Sequence, residues 1–75
     1  MGAPQKPSLR QVLGANVRRA RNGLGWTQEK LWEKSGITQT TISQIESGVY
    51  AATVDTIEKL AGAMDVTEDL LLRRN

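Results

Sequence analysis

The side chains here with the most distinctive chemistry to offer are amides and hydroxyls. Thr38, Gln39, Thr40, Thr41, Ser43 and Gln44 fall within seven consecutive positions. A glutamine amide sets a donor beside an acceptor, which matches N6 and N7 of adenine, and a threonine methyl suits the thymine methyl. A cluster of this kind is therefore suited to reading base edges in a groove. The other familiar chemistries lack their residues. Cysteine and histidine are both absent, which excludes disulfides, thiolate or imidazole metal sites and the usual nucleophile–base pairs. Enzymatic activity is not expected, nor any cofactor, metal or small-molecule ligand.

The elements that must position this cluster are written twice in the chain. Trp26-Thr27-Gln28 followed by Leu31, and Ile37-Thr38-Gln39 followed by Ile42, lie eleven residues apart with Ser35-Gly36 between them. In each copy the threonine caps the orphan N–H groups of a first helical turn, and the apolar residue before it staples to the one four positions after it. Two short helices joined by a tight turn at Gly36 make a helix-turn-helix, whose second helix opens with the polar cluster. That unit suggests DNA binding.

The staple recurs at Pro7-Ser8 with Val12, Ala52-Thr53 with Ile57, and Val66-Thr67 with Leu71, so five helix starts are marked. The first helix, about Leu9 to Asn22, carries Leu13, Val17, Ala20 and Leu24 as one stripe, with Ser8 and Gln11 as a reciprocal capping box and Gly23 and Gly25 as its stop. The fourth, roughly Val54 to Met64, sets Val54, Ile57, Leu60, Ala61 and Met64 on one face. Gly62 within it implies either a close backbone neighbour or early fraying. Asp65 suits the left-handed end of that helix, and a last short helix holds Leu70, Leu71 and Leu72. No segment alternates as a strand does, so the fold class is all-α.

With 75 residues the chain forms one domain, residues 8–75, preceded by a flexible arm, residues 1–7. Such a domain buries only about 60% of its unfolded surface, so its stability margin is thin. No leader or membrane-spanning run of apolar residues is seen, and a cytoplasmic location is expected. The net charge of +2 is unevenly spread. Residues 1–25 carry Lys6, Arg10, Arg18, Arg19 and Arg21 without an acid, whereas in residues 49–72 Asp55, Glu58, Asp65, Glu68 and Asp69 face only Lys59. One end is thus suited to phosphates and the other is repelled by them.

Thr27-Gln28-Glu29-Lys30-Leu31, Ser35-Gly36-Ile37-Thr38 and Ile42-Ser43-Gln44-Ile45-Glu46-Ser47-Gly48 together resemble the lambda-repressor and Cro (XRE-type) family of phage and bacterial regulators. The likeness runs from about Leu13 to Leu71. It implies a compact five-helix domain whose third helix enters the major groove of double-stranded DNA, as a homodimer on a two-fold symmetric operator. Carried over by position, Gln28 anchors on phosphate while Gln39 and Thr40 meet base edges, with Thr38, Thr41, Ser43 and Gln44 on the same helix. Half-sites richer in A·T are expected at those contacts. Arg21 and Glu46 fall where the family often places a partly buried ion pair. The third helix has no lysine or arginine, so phosphate neutralisation falls to Lys6, Arg10, Arg18, Arg19, Lys30 and Lys34. In the loop after it, Val49-Tyr50 replaces common basic residues and Ala52 a common proline, leaving the Tyr50 and Thr53 hydroxyls for phosphate.

Trp32 departs most, standing where the resemblance implies alanine. With no phenylalanine in the chain, the indole is expected to fill the core, with partner contact the lesser reading. The three leucines at 70–72 suggest a dimer interface, or else two inward and a third closing the end. The alternative function is a protein-interaction module of the same fold, antitoxin-like or co-regulatory, docking through its acidic half or its leucine end.

Overall fold

The computed structural model describes residues 6–74, and within them five helices: α1 (Leu9–Gly23), α2 (Gln28–Ser35), α3 (Gln39–Glu46), α4 (Val54–Met64) and α5 (Glu68–Leu72). No strand occurs among the described residues. Most of the expected flexible arm, residues 1–5, lies outside them. Pro7 precedes the first helix, and its carbonyl accepts from Arg74 Nη1 at 2.6 Å.

The caps act where the sequence places them. Ser8 Oγ accepts from the Gln11 amide at 3.3 Å while Gln11 Oε1 accepts from the Ser8 amide at 2.9 Å, closing the reciprocal box. Thr27, Thr38 and Thr53 accept from the backbone of Lys30, Thr41 and Thr56 at 3.0, 3.3 and 3.1 Å. Thr67 holds the corresponding position before α5, but its side chain makes no capping bond. At the helix ends, Gly36 with φ 78° turns the chain between α2 and α3, and Asp65 with φ 57° ends α4 in the left-handed conformation.

The core gathers Leu13 and Val17 from α1, Leu31 from α2, Ile42 and Ile45 from α3, Leu60, Ala61 and Met64 from α4, and Leu71 from α5. Two expected core residues lie outside it. Leu24 is exposed because α1 has ended and the chain is already turning; Val54, 73% exposed, is the first residue of α4 and projects past the packed turns. Of the three leucines, Leu71 is buried, Leu72 packs against the core and Leu70 stays partly open, so two turn inward.

Two helical glycines have opposite roles. A Cβ on Gly14 would stand 2.9 Å from the Glu46 carbonyl oxygen, because the α1 and α3 backbones touch there. Around Gly62 nothing lies within 4 Å, so no neighbouring backbone requires it. Gly62→Ala is therefore expected to stabilise the domain by about 0.5–1 kcal/mol through helix propensity. A thermal melt should register this as a rise of roughly 2–8 °C for a domain of this size.

Asn16 adds a polar tie. Its buried amide nitrogen donates to the carbonyls of Leu71 and Arg73, each at 2.9 Å, fastening α1 to the end of α5. Among the described residues no helix is long and apolar enough to cross a membrane.

Candidate nucleic-acid interface

Thr38 starts the surface by fixing the first turn of α3. Its hydroxyl serves the helix start, capping the Thr41 amide and donating to Thr41 Oγ1 at 3.1 Å. Both hydroxyls are thereby engaged with each other, while Gln39, Thr40, Ser43 and Gln44 remain exposed. With Gln28, Trp32 and Thr38 these four line one shallow concavity between the α2 and α3 helices. Gln39, Thr40, Ser43 and Gln44 are thus presented together, on one side, next to the first turn of α2, whereas Thr41 is half-buried and outside the concavity.

What fixes the angle of α3 is the carboxylate at its end. Glu46 has a fully buried side chain, and Arg21 grips it with Nε on Oε2 at 2.7 Å and Nη2 on Oε1 at 2.9 Å. The same guanidinium donates from Nη1 to the Trp26 carbonyl at 2.7 Å, so the strap before α2 is held too. Gln28 Nε2 and Arg18 Nε complete the set on Oε1, at 3.1 and 3.4 Å. Burial, the largest single influence, pushes the Glu46 carboxyl up. Hydrogen bonds from Arg21, Gln28 and Arg18 and the charge of Arg21 outweigh it and hold the carboxyl below its usual range. Among the described residues no buried side-chain nitrogen or oxygen lacks a partner.

The other singled-out residues divide by place. Gln28 spends one amide hydrogen on Glu46; the second remains for an external acceptor. Arg18, more than half exposed, reaches Glu46 from α1. Arg19 instead donates to Asn16 Oδ1 at 3.0 Å, in the group that fastens the end of α5. Tyr50 packs partly buried against the core, and the Thr53 hydroxyl is occupied at the start of α4, 3.0 Å from that of Thr56. Neither lines the concavity. Lys30 pairs with Glu33 on the surface at 3.2 Å.

Trp32 corrects the expectation of core filling: it is 45% exposed. Leu31, fully buried, takes the core-facing position one residue earlier, which turns the next side chain of α2 away from the core. The ring lies instead in the concavity beside the α3 amides. Reasoning from the sequence also passed over Asn16, whose polarity within an apolar stripe was the available signal.

Comparison with known proteins bears on this surface. A family profile described as helix-turn-helix matches residues 17–71. A hypothetical transcription factor of Neisseria meningitidis serogroup B is 36% identical over 69 residues, which is 92% of this chain; the chain spans 65% of that relative's length. Among solved structures, the hypothetical transcription factor NHTF from Neisseria superposes with a TM-score of 0.85 at 34% identity, covering 97% of this chain and 84% of that one. The restriction-modification controller protein C.Esp1396I, solved as a tetramer with its natural 35 base-pair operator, superposes with a TM-score of 0.79 at 26% identity, covering 88% and 87%.

Proposed function

Because this chain belongs to the helix-turn-helix family of DNA-binding transcription regulators, which are not enzymes, we propose that it recognises a specific double-stranded sequence by laying α3 in the major groove. The observation that carries this reading is the joint exposure of Gln39, Thr40 and Gln44 beside Gln28, at an angle set by the buried Glu46. Gln39 and Thr40 read base edges, Gln44 and Ser43 extend the contact, and Gln28 and Arg18 meet the flanking phosphates. Thr38 and Thr41 act through the cap, orienting the first turn. Arg19, Tyr50 and Thr53 lie outside the concavity, so any phosphate they meet lies beyond it.

The chain acts as a homodimer on a two-fold operator, because one such domain touches only a few base pairs and two about 34 Å apart multiply the selectivity. The operator-bound tetramer of C.Esp1396I lends this support. Occupying an operator makes it a repressor or a controller of a neighbouring gene cluster, working in the cytoplasm on the nucleoid.

Selection of bound duplexes from a random pool, followed by fluorescence titration, tests the reading. The selected sequence is expected to be a two-fold repeat with A·T pairs at the α3 contacts. Affinity should fall with salt with a log–log slope on the order of −5, for about three phosphate contacts per protomer. Gln39→Ala should lose about 1–3 kcal/mol of preference for the selected duplex over one changed at a single pair, with its melting temperature unchanged. A slope near zero overturns duplex binding and leaves the protein-interaction module in its place.

A further inference from the structure

Resting on the DNA-binding reading above, we propose that the Trp32 indole is itself a duplex-contacting group, an apolar element that α2 adds to the polar surface of α3. Three observations converge on it. The ring is 45% exposed although the core nearby is tightly packed, so burial within the domain does not account for it. It shares one concavity with Gln28, Gln39, Thr40 and Gln44, continuous with the surface that would meet base edges. And α3 carries no lysine or arginine, so little of the affinity at this surface comes from charge.

The chemistry of the ring suits that place. Its faces offer broad apolar area to deoxyribose and to thymine methyls, and its Nε1–H is a donor suited to a phosphate or base oxygen. A tryptophan also brings large contact area at little cost in side-chain freedom. A second copy of this chain is the poorer occupant. Docking two such surfaces together would use up the Gln28, Gln39 and Gln44 amides that line the same concavity, so a second copy would compete with the duplex for this face.

The experiment titrates the duplex recovered by selection into the parent chain and into Trp32→Ala and Trp32→Phe. A Trp26→Phe variant leaves Trp32 as the one remaining indole. In that variant, saturation with duplex should shield the ring from acrylamide quenching, a readout that a merely structural role would not move. Trp32→Ala should bind roughly tenfold more weakly with an unchanged salt slope, and Trp32→Phe should recover part of the loss. An indole equally open to acrylamide in the saturated complex, or Trp32→Ala binding within twofold of the parent, overturns the proposal. So does a Trp32→Ala chain that loses self-association in the absence of duplex, which would assign the ring to a face between copies. A parent chain that binds no duplex overturns the DNA reading and this proposal together, whereas a parent that binds with its ring unshielded overturns the role of Trp32 alone.

Discussion

Replacing Glu46 by glutamine is expected to lower the melting temperature by roughly 12–24 °C, from a loss of about 3 kcal/mol. The isostere keeps the volume but removes the charge that Arg21, only 12% exposed, was folded around. A buried guanidinium without its counter-ion is the costly outcome. Removing one partner of such a pair strands the other, whereas an exposed pair such as Lys30–Glu33 is worth under about 1 kcal/mol. For a chain of 75 residues the whole stability is about 4–11 kcal/mol, so the loss is a large fraction of it. The same carboxylate gives the parent an acid-sensitive component. Its folded-state pKa is lowered, so its contribution is full above the unfolded carboxylate pKa of about 4.3 and is lost as the pH falls through the lowered value. Melts between pH 7 and pH 3 should show a decline in the parent from which Glu46→Gln lacks this part. Identical curves at neutral pH would mean that the pair is not stabilising.

Gly14→Ala should be comparably damaging, and for the opposite kind of reason. The added methyl meets main-chain oxygen of α3, with the Glu46 carbonyl at 2.9 Å, and a peptide group cannot rotate aside as a side-chain tip does. The α1 and α3 helices must separate or shift, loosening the core to which both contribute. A cost of about 2–3 kcal/mol is expected, at the upper end for overpacking by one methyl. Gly62→Ala supplies the control, since the same chemical change is predicted to stabilise α4. Urea unfolding of the two variants side by side should move the midpoints in opposite directions without altering the slope. A Gly14→Ala midpoint equal to the parent's would mean that the two helices have room to spare.

The features that the sequence made legible are those whose causes are local. A threonine three residues ahead of its backbone partner, a glycine at the reversal and an aspartate at a helix end need no knowledge of the rest of the chain. Four of five staples came with working side-chain caps; at Thr67 the pattern marks the start correctly although the hydroxyl does not cap the backbone. The Arg21–Glu46 pair came from the family resemblance. Composition does not predict that Gln28 and Arg18 converge on the same carboxylate, because that depends on how α1 and α2 cross α3. Trp32 was misplaced for a related reason. A large apolar residue in a chain without phenylalanine invites a core assignment, yet whether a core has space for it is decided by the distance between helices. Gly14 went unremarked because close approach leaves no mark in the glycine's own neighbourhood, whereas Leu24 and Val54 were assigned to core-facing stripes because a helical stripe does not announce where its last useful turn ends.

One carboxylate at the end of α3 collects donors from α1 and from the first turn of α2, and one of those donors also holds the strap before α2. Three helices thereby share one charged fastening, and its loss loosens all three together. Melting confined to α3 is thereby disfavoured. On the proposed DNA-binding reading, copies of the domain divide into those that present the whole α3 face and those that present none, so occupancy of a target would track the folded fraction.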